Sequence, residues 1–422
     1  MSDPKQYRIL SLDGGGSWAL IQVKTLMEIY GDDTHGHEVL SHFDLVAANS
    51  GGSIVAAALL ANLSLSEILS NFLDNTKRRA IFAPLPWPER LIHTLLRWLA
   101  QCPYCPNIPY PQFSTLKKLQ GLRGVLACKG AKQMQALDCL KIMGYNQQPI
   151  KTLITAYDFD RDRAKFFRSW ASPTSSLPNA ASAASLAQAV HASSNAPIEY
   201  FNQPAYVQGT QYWDGAIAGY NNPVLAAVTE AIANGQAREH IKVLSIGSGT
   251  TMLPLLSARN NQEALVLFEK PQASGMFANI RKISRSILSD PPDAHSFIAH
   301  VMLGGGLPTT PCSPAPSNIV RFNPLIQPDG NSVTGWQLPS GLTNKDFARL
   351  VELDLAAVED KDVRLIQQFC KLWMEDKIPN QAIRADSDFS CEIGHDKFSK
   401  ARAACLALDF NHRSFPAAYK LA

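Results

Sequence analysis

A strand, a glycine-containing turn and a helix follow one another twice within the first 60 residues, and this repeat constrains the fold most strongly. The first unit combines a strand at 7–12, three glycines at 14–16 and apolar residues at helical spacing over 18–30. The second combines a strand at 43–47 with a turn at 49–52 and a small-residue helix over 54–60. Such units predict an α/β fold in which helices connect the strands of a mainly parallel sheet.

Further elements of the same kind follow in the middle of the chain. Strands are predicted at 151–156 and 241–246 from short runs of apolar residues. A buried helix is predicted around 186–191, after a segment rich in Ser and Ala. These elements extend the expected sheet beyond residue 240.

The last quarter of the chain has a helical pattern instead. Thr343 is a plausible N-cap, with Asp346 three residues later, and apolar residues then recur at helical spacing. A second helix is predicted over 362–375. We therefore expect a domain over 1–330 and a helical C-terminal extension over 331–422, whose role the sequence does not name.

Composition excludes several classes of protein. Hydrophobic residues make up 46% of the 422 residues, enough for a sizeable core, and the 39 basic and 36 acidic residues nearly balance. A dedicated nucleic-acid binder would carry a basic stripe, so nucleic acid is not an expected partner. The eight cysteines include one CxxC, formed by Cys102 and Cys105, without a second pair. We therefore expect reduced thiols and no metal site.

The sequence also bears on location. The N-terminus MSDPKQYRIL is polar and lacks the apolar core of a signal peptide. The longest uncharged stretches, 45–66 and 169–198, are interrupted by polar residues, whereas a membrane span needs about 20 mostly apolar residues. The expected location is cytoplasmic or peripheral to a membrane, and export without a signal stays open.

Ser50 is the first candidate for chemistry. It lies between a predicted strand and a predicted helix, and a nucleophilic serine needs such a strained, uncrowded turn. The helix would point the positive end of its dipole at the site. The residues around Ser50 depart from the G-x-S-x-G pattern because Ala48 replaces the first glycine. A serine that only caps the helix fits the same residues.

Gly14, Gly15 and Gly16 are the second candidate. Successive glycines after a strand leave backbone N–H groups free to converge on an anion, in a phosphate cradle or an oxyanion hole. No Gly-Lys-Ser/Thr follows, so this is not a Walker loop, and Ala19 breaks the G-x-G-x-x-G spacing. A flexible turn explains the glycines unless they lie beside Ser50.

Asp214 is the third candidate. It follows Tyr212 and Trp213 and precedes Gly215. A carboxylate held there could act as a general base. An aspartate before a glycine is also common in ordinary turns.

Together these candidates and their neighbours resemble the patatin-like phospholipase family. The matching segments are DGGG at 13–16, FDLVAANSGG at 43–52, SSNAPIEYF at 193–201, DGA at 214–216 with NNP at 221–223, and LSIGSGT at 244–250. They occur in the family's order over residues 7–250, and the resemblance weakens after residue 250. The resemblance implies a three-layer α/β/α sandwich, and makes 1–330 a patatin-like catalytic domain.

The resemblance also implies a mechanism and a substrate class. The family uses a Ser–Asp dyad without histidine, so Ser50 is implied as the nucleophile and Asp214 as its base. The N–H groups of Gly14, Gly15 and Gly16 would form the oxyanion hole. The implied activity is hydrolysis of fatty-acyl esters in phospholipids or lysophospholipids through an acyl-enzyme, without a cofactor or metal. Peripheral membrane contact and a protein activator stay open.

Two departures from the family pattern keep alternatives open. Trp18 and Ala19 stand where the family has Arg or Lys and then Gly, and Ala48 replaces a glycine before the nucleophile. A catalytically weakened patatin-fold protein that binds lipid or acts as a scaffold is therefore one alternative. A less favoured alternative is a Ser–Asp–His α/β-hydrolase esterase. The histidine of that triad would be His240, His295, His300 or His395.

Residues 80–111 are a candidate for lipid access. They combine prolines with a helical stretch at 89–100, on which Arg90, His93 and Arg97 share one face. The aromatic residues Trp87, Trp98, Tyr104 and Tyr110 interleave with these prolines, as in interfacial elements. A helix packed on the core, with its arginines in solvent, is the alternative that the pattern slightly favours.

Overall fold

The computed structural model describes residues 5–89, 111–126, 142–170, 184–255, 262–269, 292–308, 314–331, 333–386 and 389–410. Its strands are β1 (Tyr7–Leu12), β2 (Leu45–Ala48), β3 (Lys151–Asp158), β4 (Arg163–Arg168), β5 (Ala205–Val207), β6 (Thr210–Asp214), β7 (Ile241–Ile246), β8 (Thr250–Thr251), β9 (Ile319–Phe322), β10 (Leu325–Ile326), β11 (Asp329–Asn331), β12 (Gly335–Gln337), β13 (Arg384–Ala385) and β14 (Cys391–Ile393). Its α-helices are α1 (Leu20–Tyr30), α2 (Gly36–Leu40), α3 (Ser50–Leu60), α4 (Leu65–Leu73), α5 (Asn75–Ile81), α6 (Thr115–Val125), α7 (Leu186–Ser193), α8 (Val224–Ala233), α9 (Pro292–Met302), α10 (Asn344–Glu352), α11 (Asp360–Met374) and α12 (Phe398–Ala407).

The central sheet is parallel through its middle and antiparallel at one side. Strands β3, β2, β1, β7 and β9 are neighbours in that order and run parallel. Strands β4 and β6 pair antiparallel with β3, and β5 pairs antiparallel with β6. Every residue of the central strand β1 is buried, as a parallel strand covered on both faces requires. The predicted α/β class with a mainly parallel sheet is confirmed.

Helices cover both faces of this sheet. Successive side chains of a strand point to opposite faces, and β1 shows the consequence. Leu10 and Leu12 join an apolar cluster with α1, α3 and α7, whereas Tyr7 and Ile9 join a separate cluster with α8. The sheet is therefore the middle layer of a three-layer α/β/α sandwich.

The described part of the C-terminal extension packs on the same core. Phe347 of α10 and Phe369 of α11 belong to the apolar cluster that contains Leu10 of the sheet. The predicted N-cap is confirmed, because the Thr343 side chain accepts from the backbone of Asp346 while the Asp346 side chain accepts from Thr343. The boundary at residue 330 stays a prediction.

In the second strand–turn–helix unit, the turn between the strand and the helix is shorter than predicted. The strand lies at Leu45–Ala48 instead of 43–47, and helix α3 begins at Ser50, so both following glycines are helical. A Cβ at Gly52 would lie 2.5 Å from the carbonyl oxygens of Leu12 and Asp13. Glycine is therefore required there because the first turn of α3 packs against the backbone at the end of β1.

Several predicted features lie outside the described residues. They include nearly all of the helical stretch at 89–100, the Cys102–Cys105 pair and most of the Ser/Ala-rich segment. Trp87 is described and is 74% exposed. The described cysteines Cys370, Cys391 and Cys405 are free thiols.

The described ranges contain neither a side-chain cluster that could hold a metal nor a helix that could span a membrane. Within them, no group of three or more His, Cys, Asp or Glu side chains is placed to hold a metal ion. No helix of those ranges combines the length and the apolar character that crossing a bilayer demands.

Candidate active site

The pairing of β3 brings the ends of β2 and β6 to one point. Ile154 of β3 pairs with Ala48, the last residue of β2, and two residues further along Ala156 pairs with Asp214, the last residue of β6. Both pairings use the same edge of β3, because β4 occupies the other edge. Ser50 follows β2 by two residues, so the antiparallel strand β6 delivers Asp214 beside it.

Ser50 occupies a strained backbone position. Its φ is 47°, in the left-handed region that residues with a side chain rarely adopt. The N-cap of α3 is Asn49, so Ser50 does not serve as the helix cap. The Ser50 N–H donates to Ser193 Oγ at 2.9 Å, and 7% of the residue is exposed. The turn therefore presents this hydroxyl as a nucleophile elbow does.

Asp214 is buried, and two hydrogen bonds hold its carboxylate. Its Oδ1 accepts from the backbone N–H of Ala216 at 2.9 Å and from Asn49 Nδ2 at 3.1 Å. The Ser50 hydroxyl is near enough to the carboxylate to lower the pKa of Asp214. Burial raises the pKa of Asp214 above its ordinary value, and these hydrogen bonds offset part of the rise. The Ser50 hydroxyl and the Asp214 carboxylate thus lie beside each other.

Asn49 fixes the orientation of this pair. Its Oδ1 accepts from Thr155 Oγ1 at 2.7 Å and from Ser193 Oγ at 3.4 Å, which leaves its Nδ2 to face Asp214. The residue is fully buried. Sequence reasoning noted Asn49 only as a flank of Ser50, because its partners lie more than 100 residues away.

The glycine loop lies beside Ser50. A Cβ at Gly14 would come within 3.0 Å of Ser50 Cβ, and Gly16, with φ 54°, lines the same cleft as Ser50. The Gly14 N–H donates to the Asn221 carbonyl at 2.8 Å. The N–H groups of Gly15 and Gly16 donate to no acceptor in the part of the chain that the structure describes. These two amides are the donors that a bound oxyanion could use.

Three contacts hold the glycine loop in place, although Trp18 replaces the family's basic residue. Asp13, at the start of the loop, forms a buried ion pair with Arg321 of β9. The Trp18 indole Nε1 donates to the Asp354 carbonyl at 3.2 Å, while the Ser17 N–H donates to the Leu355 carbonyl at 2.9 Å. The loop is therefore anchored from the sheet and from the C-terminal extension.

An apolar cleft opens at Ser50. Its lining includes Gly16, Ser50 and Gly51, with apolar walls from Ile54, Ile81, Phe82, Phe201 and Leu355. Lys118 is the charged residue among the described lining residues. Apolar walls around a hydroxyl suit the acyl chain of a lipid ester.

The histidine of a Ser–Asp–His triad finds no support here. His295 Nδ1 bonds the Asn222 carbonyl at 3.2 Å, and His300 bonds Ser317 Oγ and the Gly306 carbonyl. Across the described ranges, no histidine hydrogen-bonds Ser50 or Asp214.

We expect Trp18→Phe to lower the free energy of unfolding by about 1–2 kcal/mol, from the lost hydrogen bond to Asp354 and the smaller ring. The edge contact of residue 18 with Phe369 would be kept. Equilibrium urea unfolding measures the change. Trp336→Phe is the matched control, since that indole N–H donates to no described residue. An equal effect of both variants would contradict the anchoring role.

Comparisons with known proteins point to one family. A family model described as patatin-like phospholipase matches residues 10–228. A curated relative, the cGAMP-activated phospholipase of Pseudomonas aeruginosa (strain BWHPSA011 / Pa011), is 33% identical over 86 residues, which are 20% of this chain and 25% of that protein. The matched stretch thus spans a quarter of the relative's own length.

Two solved structures are also similar. VipD from Legionella pneumophila is 11% identical with a TM-score of 0.33, and the match covers 87% of this chain and 67% of VipD. The type III effector protein ExoU is 13% identical with a TM-score of 0.24, and the match covers 71% of this chain and 54% of ExoU. Neither likeness bears on the site.

Proposed function

The chain belongs to the patatin-like phospholipase family, and we propose that it is a lipid acyl hydrolase of the phospholipase A or lysophospholipase type. The proposal rests on how close the candidate residues lie to one another. Strained Ser50 and Gly16 line one apolar cleft, and buried Asp214 lies beside Ser50. The Gly15 and Gly16 amides donate to no acceptor among the described residues. Capping of α3 does not explain the strain at Ser50, because Asn49 is the N-cap residue of that helix.

The first half of the proposed reaction acylates Ser50. Its Oγ attacks the carbonyl carbon of a fatty-acyl ester while Asp214 accepts the hydroxyl proton. The oxyanion accepts hydrogen bonds from the Gly15 and Gly16 N–H groups. A single preorganised donor of this kind contributes about 3–4 kcal/mol in other hydrolases. Collapse of the intermediate expels the lysolipid or glycerol-type alcohol, which takes its proton from Asp214.

The second half hydrolyses the acyl-enzyme. Asp214 accepts a proton from water, the water oxygen attacks the acyl carbon, and collapse returns the proton to Ser50 Oγ as the fatty acid leaves. An aspartate with an ordinary pKa is a weak base for a hydroxyl. Burial raises the pKa of Asp214, which strengthens it as a base, and the N-terminus of α3 adds positive potential at Ser50.

As the pH is lowered, activity is expected to fall at a higher pH than it would with an ordinary aspartate as the base. The reaction needs the Asp214 carboxylate, so protonation at low pH stops it, and burial raises the pKa of Asp214 from 3.8. We expect kcat/KM to rise with pH through a midpoint above 3.8. Initial rates on a soluble ester across an acidic pH series measure it, with intrinsic fluorescence as the control for unfolding. Full activity at the lowest pH at which the protein stays folded contradicts the role of Asp214.

Fatty-acid release from mixed micelles of phospholipid and lysophospholipid tests the function. Release that yields free acid and the matching lysolipid or glycerol-phosphate product supports it, and the product mixture identifies the position cleaved. A parallel reaction with cGAMP is included because the matched relative is described as cGAMP-activated. Absence of release under both conditions, together with no labelling of Ser50 by a fluorophosphonate, favours a lipid-binding or scaffold protein instead.

A further inference from the structure

A lysine that no sequence motif singled out is buried in the candidate active site. Lys118 lies on α6, is fully buried and lines the cleft that contains Ser50. Its Nζ donates to the His191 carbonyl at 3.1 Å and to Asn195 Oδ1 at 3.3 Å, and it lies 4.3 Å from the centre of the Phe201 ring. All three partners are electron-rich, so they favour the ammonium form.

The segment that Lys118 holds contacts both members of the dyad. This segment, residues 191–195, covers the end of α7 and the turn after it. Ser193 Oγ accepts the N–H of Ser50 at 2.9 Å, and the Asn195 carbonyl accepts the N–H of Asp214 at 3.0 Å. One buried ammonium is therefore tied, through a five-residue segment, to the backbone of the nucleophile and of its base.

Resting on the proposed function, we propose that Lys118 is a positioning residue of the dyad. Its ammonium clamps residues 191–195 against Ser50 and Asp214 and supplies the positive charge that stabilises the Asp214 carboxylate. The three partners of Nζ occupy its donor directions, so Lys118 acts through Asp214 and not on the substrate.

The charges around Lys118 leave Asp214 as its electrostatic partner. Burial lowers the pKa of Lys118 and Asp214 raises it, while the Lys118 charge lowers the pKa of Asp214. His191 stays neutral because burial, with Lys118 and Arg123, lowers its pKa to about 2. The contacts of Lys118 Nζ favour its ammonium form, and this positive charge acts on Asp214.

Other charged groups on the packed elements have their own partners or lie in solvent. On α5, Lys77 bonds Asn71, Arg78 pairs with Asp360 and Arg79 pairs with Glu359. On α6, Lys117 is exposed, and on the neighbouring loops Glu89 accepts from Asn202 while Glu199 is half-buried.

The test compares Lys118→Met with Lys117→Met, its exposed neighbour on the same helix. The readouts are kcat/KM for ester hydrolysis and the rate of Ser50 labelling by a fluorophosphonate, both as functions of pH. Removal of an opposite charge raises a carboxyl pKa by about one pH unit or more. We expect the acidic midpoint of Lys118→Met to rise by about one pH unit, with about tenfold lower rates below it. We expect Lys117→Met to match the wild type and Lys118→Arg to keep the midpoint.

An unchanged midpoint in folded Lys118→Met overturns the proposal. So does a rise in KM for anionic lipids alone, which would make Lys118 a headgroup ligand. If Lys118→Met fails to fold, Lys118→Gln and Lys118→Arg carry the test, and equal midpoints in these two variants overturn it. The labelling readout separates the two proposals. If Ser50 of the wild type is labelled but the protein hydrolyses no lipid, only the proposed function is wrong. If Ser50 is not labelled and no lipid is hydrolysed, both proposals are wrong.

Discussion

Replacement of Ser50 by alanine is expected to lower the rate of fatty-acid release by at least about 1000-fold. Loss of a nucleophile removes the acyl-enzyme route and leaves only the contribution of the oxyanion hole and of substrate binding. The fold should survive, because the hydroxyl does not cap α3 and the Ser50 N–H bond to Ser193 involves only the backbone of residue 50. Release of labelled fatty acid at saturating substrate measures the loss.

Ser41→Ala is the matched control for this experiment. Its hydroxyl donates to the Glu38 carbonyl in an exposed turn, and Ser41 is not among the residues that line the cleft. It should hydrolyse lipid at the wild-type rate. If Ser50→Ala keeps more than about a tenth of the wild-type rate, another residue is the nucleophile. Removal of a covalent catalyst lowers the rate far more than tenfold.

Asp214→Asn is expected to lower the same rate by about 100- to 10,000-fold, the usual contribution of a general base. An asparagine keeps the size of the side chain and can still accept the Ala216 N–H through its oxygen. It cannot take the Ser50 proton, so both acylation and deacylation slow. Single-turnover release and the rate of fluorophosphonate labelling should fall together.

Asp160→Asn is the control for this substitution. Asp160 is exposed and accepts the Gln211 N–H near the start of β6, at the other end of the strand from Asp214. Wild-type rates are expected. Retained labelling in folded Asp214→Asn would show that the serine is activated without this carboxylate, and the dyad would then be wrong.

Local sequence signals were sufficient for the elements that carry the candidate site. The strand predicted at 7–12 is β1, the strand at 241–246 is β7, and both consist mostly of apolar residues. Ser50 and Asp214 each follow or end such a strand, and the structure places them in contact. The start of α3 was predicted four residues late because glycines normally signal a turn, and only packing against β1 makes them helical.

The residues that sequence reasoning missed act across long distances in the chain. Arg321 bonds Asp13, which lies 308 positions earlier in the chain. Lys118 donates to His191 and Asn195, which lie more than 70 positions later. Lys118 sits next to exposed Lys117, so the pattern of α6 alone does not show which lysine is buried. Its place four residues before the buried Leu122 was the available signal.

The two departures from the family pattern have a structural explanation. Trp18 anchors the glycine loop through the Asp354 carbonyl, a contact made by the C-terminal extension. Ala48 ends β2 within the apolar cluster, where its methyl group is buried. Neither residue blocks the approach to Ser50, so the structure gives no reason for a weakened site.

The central claim, that Ser50 is the nucleophile, is tested most directly by mass spectrometry of the protein after reaction with a fluorophosphonate. We expect one adduct per chain, on the peptide that contains Ser50, and its formation should slow as the pH falls through the pKa of Asp214. An adduct on another residue, or none on a folded protein that still hydrolyses lipid, would contradict the account.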